Sequence, residues 1–287
     1  MVTIIDGLSL GAIYALIALG YTMVYGIAKM LNFAHGDIIM VGAYAIYAML
    51  AVTGNPVVAF IAALMLCTVL GVVIEKLAYK PLRGASPLAV LITAIGVSYL
   101  LQGVAQLIFG ADQKTVSILD RLGNTHIGEY SIKISSIITL VCGAAIMAGL
   151  TLFVKKTRIG RAMLAVSEDK GAAQLMGVNV NTIIMITFAI GSALATFASI
   201  FYLPTTSISP TLGSMPGIKA FAAAVIGGIG SIPGAMLGGV LLGLIENICL
   251  SIEAVASYTT AIEFGFLILI LMIRPIGLLG KKRRVKV

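Results

Sequence analysis

Charged residues are scarce in this sequence. Only 10% of the 287 residues are charged, whereas 60% are hydrophobic and the mean hydropathy is +1.09. The longest polar stretch, residues 155–181, is called the polar island below, and it is too short to form a domain of its own. A separate soluble domain is therefore excluded, and residues 1–287 are interpreted as a single membrane domain.

Residue types that carry catalysis or bind metals are also few. The two histidines, His35 and His126, lie far apart and outside any HExxH spacing. The three cysteines, Cys67, Cys142 and Cys249, stand singly in apolar segments without a CxxC pair. No GxxxxGK(S/T) phosphate-binding loop occurs. We therefore expect a chain that is not an enzyme and that holds no cofactor or metal.

The apolar residues gather in long continuous runs. A helix needs about 20 such residues to cross a bilayer, and continuous rather than alternating hydrophobicity excludes a β-barrel. We expect an all-α polytopic membrane protein with about eight apolar segments: Ile4–Ile27, Asp37–Thr53, Pro56–Tyr79, Leu88–Phe109, Lys133–Val154, Thr182–Leu203, Gly217–Leu250 and Tyr258–Ile273.

Positive charge is concentrated in three places, which are the loop Lys76–Arg83, the polar island and the tail Arg274–Lys286. Basic residues mark cytoplasmic loops, so these regions, including the C-terminus, are expected in the cytoplasm, and the more acidic loop 110–132 is expected outside. The basic tail fits anionic lipid headgroups better than nucleic acid. No signal peptide is evident, and the first segment is expected to be retained.

The segment Gly217–Leu250 is too long for one ordinary spanning helix. An even number of spans must separate the polar island from the tail, yet only three apolar segments lie between them. Glycine and proline break helices, and the freed backbone groups must face protein or water. We therefore expect two short helices that meet at a buried turn beside the translocation path, formed by Gly227, Gly228, Gly230, Ser231 and Pro233.

A polar interruption follows the first apolar segment. Asn32, His35 and Asp37 lie close together there, and Tyr21 and Tyr25 precede them on one helix face. These side chains either line the translocation path or lie at a solvated membrane edge, where tyrosines are common anchors.

Two further features leave alternatives open. Gly20–Met30 and Ile38–Thr53 are either an ordinary helix pair or a second broken pair, which would move the amino terminus to the cytoplasm. Paired interruptions of this kind indicate a substrate path in transporters. Glu246 and Glu263 lie inside apolar segments, so each is either functional or an interhelical hydrogen-bonding residue.

The polar island predicts a short helix outside the membrane. The stretch Glu168–Gly177 combines helix-forming residues with an acidic start and a glycine stop. This helix is interpreted as a cytoplasmic docking surface, and the alternative is an amphipathic helix that lies on anionic lipid.

Three stretches carry a family resemblance: Gly11–Gly26, Asn32–Gly36 and Gly217–Ala235. Together they resemble the inner-membrane permeases of bacterial ABC importers for branched-chain amino acids, specifically the H-type subunit, and the resemblance covers nearly the whole chain. It implies a multi-pass protein of the bacterial inner membrane that works by alternating access. The implied substrates are leucine, isoleucine and valine.

The resemblance also implies the partners. These are a related M-type permease, two ABC ATPase subunits that bind ATP and magnesium, a periplasmic amino-acid-binding protein and membrane lipid, without nucleic acid. One polar island supplies one ATPase contact, which also requires a second permease. The family's ATPase-coupling loop resembles Arg158, Arg161, Glu168, Asp169, Ala172, Ala173 and Gly177, although Asp169–Gly171 separates Glu168 from the alanine pair.

Other substrates and transport modes are alternatives. Permeases for urea, short-chain amides and other amino acids have similar sequences. An ion-coupled secondary transporter would need intramembrane charges, for which only Asp37, Glu246 and Glu263 are candidates. A channel would need a filter-like sequence, and none occurs.

Overall fold

The computed structural model describes residues 2–116, 118–119, 122–127 and 130–280. Asp120, Arg121 and Glu129 of the predicted external loop, and the basic tail from residue 281 onward, lie outside the described residues. The described chain is helical apart from one short antiparallel hairpin. The predicted all-α membrane fold is confirmed.

The helices follow one another with short connections. Their bounds are α1 (Val2–Ala28), α2 (His35–Thr53), α3 (Pro56–Ile74), α4 (Pro87–Phe109), α5 (Ile134–Lys156), α6 (Arg158–Glu168), α7 (Lys170–Leu175), α8 (Val180–Tyr202), α9 (Ser214–Gly227), α10 (Ile232–Leu250), α11 (Glu253–Ala256) and α12 (Thr259–Ile273). The single-turn additions are a π-helical turn (Glu75–Tyr79) and two 3-10 turns (Lys80–Leu82 and Leu203–Thr205). The hairpin consists of β1 (Asn124–Ile127) and β2 (Tyr130–Lys133).

Each predicted apolar segment corresponds to observed helices. Within the described residues, 7 helical segments are long and apolar enough to cross a membrane, while α9 and α12, with 14 and 15 residues, are apolar but shorter. Polar side chains that cap the first turn determine where several of these helices begin. For example, the Asn55 side chain accepts a bond from the Val57 N–H at 2.9 Å, next to a proline in the first turn of α3.

The predicted interruption in Gly217–Leu250 is present. Helix α9 ends at Gly227, α10 begins at Ile232, and the two helices pack against each other. Apart from the four-residue α11, four helices, α8, α9, α10 and α12, then lie between the polar island and the C-terminal segment. This even number removes the conflict in the count of spans.

The alternative that Gly20–Met30 and Ile38–Thr53 form a second broken helix pair is wrong. Helix α1 continues without interruption through Gly20 to Ala28. The physical reason lies in packing, because the missing side chain at Gly20 leaves room for the imidazole of His35, whose Nε2 occupies the position that a Cβ would take. A glycine in a helix interior costs only about 1 kcal/mol, which tertiary packing readily offsets.

Helix α1 is the centre of the bundle. Its residues Ala12–Leu19 are at most 2% exposed, and it packs against α5, α8, α9 and α10. The approach to α10 is especially close, since a Cβ at Gly11 would lie 2.8 Å from the Val240 Cα and one at Gly239 would overlap Ala15. Small residues allow such backbone contact in membrane helices, where packing rather than hydrophobicity joins helices.

The bundle has two distinct ends. At the end called the island end, Lys170 contacts the carbonyl of Ala28, and the Leu278 N–H donates to the Ile226 carbonyl at 2.8 Å. Arg83 also reaches Asn181 at this end. The loop after α3, the polar island and the described C-terminal segment therefore lie on the same side. The start of α1 lies at the opposite end, where Ser136 donates to Asp6 at 2.7 Å.

Candidate functional site

The polar island forms two helices rather than one. Asp169 separates them in extended conformation (φ −149°, ψ 114°), and its Oδ1 accepts a bond from the Ala172 N–H at 3.0 Å. This carboxylate is the N-cap of α7, so the predicted acidic start is Asp169, and Glu168 instead ends α6. The glycine stop is confirmed at Gly177, whose φ of 83° is the left-handed conformation that glycine adopts readily.

Most of the proposed coupling residues face solvent. Only Ala173 is buried, at 4% exposure, and packs with the core. Sequence reasoning missed the most exposed large apolar residues of the polar island, Leu175 and Met176, which form an apolar tip and are exposed to 90% and 85%. The sequence signal that could have identified this tip is a pair of large apolar residues directly before the glycine that ends the predicted helix. The exposed members of the predicted set are Arg158, Arg161, Glu168, Asp169, Ala172 and Gly177.

The island is anchored to the bundle by two basic side chains. Lys170 Nζ donates to the Ala28 carbonyl oxygen at 2.8 Å, and partial burial, with a smaller effect of nearby Arg83, lowers the pKa of this lysine. Arg83 forms an ion pair with Glu75 and donates a hydrogen bond to Asn181. Lys170 thereby connects α7 to α1, and Arg83 connects the start of α8 to the turn that follows α3.

The turn between α9 and α10 lies at the island end of the bundle. Gly227 and Gly228 are buried, as predicted, and a Cβ at Gly228 would lie 2.5 Å from the Gly280 nitrogen. The φ of 103° at Gly228 also requires glycine. These glycines allow the C-terminal segment 277–280 to pack on the turn, where Leu279 N–H donates to the Gly227 carbonyl at 2.9 Å.

The rest of this turn is less enclosed. Ser231 Oγ accepts a bond from the Gly234 N–H at 3.3 Å and caps α10, and Pro233 lies in the first turn of that helix. Gly230 and Pro233 are exposed, and Ser231 is partly exposed. The expectation of a wholly buried turn is therefore wrong for these residues, because the chain reverses at the end of the bundle rather than within it.

A second junction lies deeper in the bundle, where the starts of α2 and α9 meet. A Cβ at Gly217 would lie 3.0 Å from the Gly36 Cα, so only glycines permit this approach. His35 packs beside Gly20 and against the ring of Tyr21, with 4.8 Å between ring centroids. Gly20 is eight residues from the end of α1, which places this junction about 12 Å from the island end.

Asn32 and Asp37 of the first interruption are buried and hydrogen-bonded. Asp37 accepts a bond from Gln102 Nε2 at 2.8 Å, and Asn32 accepts one from the Tyr79 hydroxyl at 2.8 Å. Asn32 and Asp37 are each 2% exposed, so the alternative of a solvated membrane edge is wrong for them. Sequence reasoning did not identify Gln102 or Tyr79, because their partners are distant in the chain.

The same region contains a small crevice. Tyr21, Tyr25 and Asn32 line it together with Phe221 and Ile229. The helical spacing that predicted a shared face for the two tyrosines agrees with this placement. Whether this crevice belongs to a translocation path stays a prediction.

Glu246 and Glu263 meet around a lysine that sequence reasoning passed over. Lys219 Nζ lies 2.7 Å from Glu246 Oε1 and 3.1 Å from Glu263 Oε2. The side chains of Lys219 and Glu263 are 10% and 2% exposed, and the three residues come from α9, α10 and α12. Buried charges are stable only when paired, so this triad joins three helices. The available signal was a lone lysine in the apolar stretch 217–226.

A cavity of about 300 Å³ opens at the end opposite the island. It lies between α1, α5, α8 and α10, and Glu246 of the triad forms part of its wall. The other polar side chains of the wall include Asp6, Lys133 and Asn247, and apolar surface comes from Leu10, Ile13 and Phe201. The cavity thus offers charges of both signs beside a hydrocarbon surface.

Comparison with known proteins gives concordant matches. Residues 3–272 match the family described as "Branched-chain amino acid transport system / permease component". The chain is 43% identical to the high-affinity branched-chain amino acid transport system permease protein BraD of Pseudomonas aeruginosa, over 99% of this chain and 97% of that protein. It is 40% identical to LivH, the corresponding protein of Escherichia coli K12, over 98% of this chain and 96% of that protein.

A solved structure shares the fold. PsaBC from Streptococcus pneumoniae, in complex with Fab, superposes with a TM-score of 0.51 over 94% of this chain and 91% of that chain. At 19% sequence identity, this likeness concerns the arrangement of helices alone.

Proposed function

Because the chain belongs to the branched-chain amino acid permease family, we propose that it is the membrane-spanning subunit of an ATP-driven importer for leucine, isoleucine and valine. The observation that carries the proposal is the match over residues 3–272, supported by identity above 40% along 99% of the chain. Transport proceeds by alternating access, and the chain itself catalyses no reaction.

The proposed partners follow from what one chain supplies. It offers one docking helix, so a complete importer contains a related permease of the M type and two ATPase subunits that bind ATP and magnesium. A periplasmic amino-acid-binding protein delivers the substrate. The complex lies in the bacterial inner membrane with the island end and C-terminus in the cytoplasm, where basic residues accumulate.

The exposed tip of α7 is the proposed contact with one ATPase. Leu175 and Met176 offer flexible apolar surface in a polar segment, which suits insertion into a cleft on a partner. The surrounding charges, among them Arg158 and Arg161, fix the orientation of docking. The buried Ala173 holds α7 against the bundle and does not face the partner.

Movement of α7 reaches the far end of the molecule through α1. The Lys170 contact joins α7 to Ala28, and α1 runs 27 residues, about 40 Å, from that point to the cavity at the opposite end. A continuous helix packed closely on α10 moves as a rigid body. Closure of the ATPases thus displaces the walls of the outer cavity, which is the motion that alternating access requires.

The test is uptake of radiolabelled leucine into proteoliposomes that contain this chain, its companion permease, the ATPases and the binding protein. The double variant Leu175→Ala with Met176→Ala is compared with Leu164→Ala, a similar truncation of a side chain on α6 that is 45% exposed. We expect the double variant to lose most ATP-driven uptake and to co-purify with less ATPase. The Leu164→Ala control keeps both.

Other outcomes would identify the alternatives. Leucine uptake that needs an ion gradient and no ATP would indicate a secondary transporter. Uptake of urea or short-chain amides in preference to leucine, with their own binding proteins present, would reassign the substrate. Normal uptake by the double variant would remove the docking role of the α7 tip.

A further inference from the structure

The outer cavity and the buried triad share one residue. Glu246 forms part of the cavity wall with a side chain that is 12% exposed, and its Oε1 contacts Lys219 at 2.7 Å. Its Oε2 is buried and accepts no hydrogen bond of normal length among the described residues, while the Tyr14 side chain, also at the cavity wall, interacts with the same carboxylate. The carboxylate therefore has capacity for a further donor at the boundary between the cavity and the bundle interior.

The triad has an imbalance of charge. One ammonium group, that of Lys219, faces two carboxylates, those of Glu246 and Glu263, so that the triad carries a net charge of −1 when both carboxylates are ionised. The negative charge of Asp6 and the positive charge of Lys133, both at the cavity wall, cancel each other and leave this net charge unchanged. An uncompensated buried charge is costly, so a cationic group at the wall beside Glu246 is favoured.

We propose that this cavity is a receiving site for a zwitterionic α-amino acid with an aliphatic side chain, whose ammonium group binds at Glu246. The inference rests on the proposed function and deepens it by naming the site that first accepts the substrate. The ligand's ammonium group completes the charge balance of the triad. Its carboxylate lies toward Lys133, the basic side chain of the cavity wall.

The remaining wall fits the side chain of such a ligand. Leu10, Ile13 and Phe201 provide apolar surface, and hydroxyl groups from Ser9 and Thr139 border it. A volume of about 300 Å³ is at the lower end of ligand sites in proteins, which suits a single small molecule. Because the cavity is open to the outside, we expect weak and rapidly reversible binding, as a transport intermediate requires.

The test is saturation-transfer NMR on nanodiscs that contain the permeases and ATPases without the binding protein. The probes are leucine, 4-methylpentanoate, which lacks the amino group, and 3-methylbutylamine, which lacks the carboxylate. We expect signal from leucine and little from 4-methylpentanoate. Glu246→Gln, which nearly preserves shape and removes the surplus charge, weakens leucine binding by roughly tenfold, as loss of a charge-assisted hydrogen bond does.

Two further variants make the result specific. Lys133→Gln, at an exposed position, weakens binding of leucine but leaves 3-methylbutylamine unaffected. Glu253→Gln removes an exposed carboxylate outside the cavity and binds leucine as the wild type does. If the Glu246→Gln variant does not assemble with its partner subunits, the ligand-selective effect of Lys133→Gln alone tests the receiving site.

The inference is overturned if leucine and 4-methylpentanoate give equal signals. It is also overturned if Glu246→Gln assembles and binds leucine as the wild type does, or if Lys133→Gln leaves leucine binding unchanged. Uptake by the complete wild-type importer separates this failure from that of the proposed function. ATP-driven leucine uptake with a negative NMR result rejects only the receiving site, whereas absent uptake rejects the proposed substrate.

Discussion

Lys170 on α7 donates a hydrogen bond from Nζ to the carbonyl oxygen of Ala28, the last residue of α1, at 2.8 Å. The carbonyl groups at a helix end lack partners within the helix and attract cations. This contact therefore joins the proposed docking helix α7 to α1, the helix at the centre of the bundle. It provides a direct route by which α7 can move α1.

Lys170→Met should uncouple the importer. The substitution keeps a long side chain but removes the donor, so we expect ATP hydrolysis by the assembled complex to continue while leucine uptake per ATP falls several-fold. The loss in stability should be small, about 1 kcal/mol or less, as for other cations at helix ends. Uptake and hydrolysis are measured on the same proteoliposomes.

The control for this experiment is Lys156→Met, which removes an exposed positive charge near the same end of the bundle. An unchanged ratio of uptake to hydrolysis in Lys170→Met would contradict the role of the contact. A reduced ratio in both variants would point to general loss of charge rather than to the bond with Ala28.

Asp169 should be needed for its capping oxygen rather than its charge. Asp169→Ala removes the acceptor of the Ala172 N–H bond and should cost about 1 kcal/mol of local helix stability. We expect faster hydrogen exchange across α7 and reduced uptake. Asp169→Asn keeps an oxygen in the same position and should restore both. Equal loss in the two variants would show that the charge itself contacts the partner.

The sequence predicted the helices well because each apolar run is long and continuous. The break at Gly227 to Pro233 could also be predicted, since glycine and proline act on local backbone conformation. The choice between an ordinary helix pair and a second broken pair in the first half of the chain could not be made in this way. No local signal distinguishes a glycine that breaks a helix from one that accepts His35 from another helix, because that contact depends on tertiary packing.

The site was only partly predictable for the same reason. Glu246 and Glu263 stood out as carboxylates in apolar segments, but their meeting at Lys219 depends on how α9, α10 and α12 pack. The exposed charges of the polar island were identified, whereas burial of Ala173 was not. A helix of six residues has no clear periodicity from which its buried face could be inferred.

The close approach of α1 and α10 should make Gly239 intolerant of any side chain. A Cβ at this position overlaps the backbone of Ala15, so Gly239→Ala must separate the two helices and is expected to lower the thermal unfolding temperature by several degrees. Gly103→Ala on α4 is the matched control, because nothing lies within 4 Å of its Cβ position. The control should be neutral or slightly stabilising, since alanine favours helices over glycine by about 1 kcal/mol. Equal unfolding temperatures for the two variants would contradict this packing.

The triad makes Lys219 the most sensitive of its three members. Lys219→Met leaves two neighbouring carboxylates without a cation, and removal of one partner of a buried pair costs about 3–5 kcal/mol. Glu246→Gln or Glu263→Gln should cost less, because each leaves a neutral pair of one lysine and one carboxylate. Thermal unfolding in nanodiscs measures the order of the three variants.

A triple variant separates charge from packing at the same site. Lys219→Met combined with Glu246→Gln and Glu263→Gln removes every charge of the triad while nearly preserving its volume. We expect it to recover much of the stability that Lys219→Met loses, because a neutral site no longer contains unpaired charge. If the triple variant is as unstable as Lys219→Met, the loss comes from the packing of the lysine stem against α10 and α12 rather than from its charge. If Lys219→Met alone is as stable as the wild type, both carboxylates are protonated and the triad carries no net negative charge.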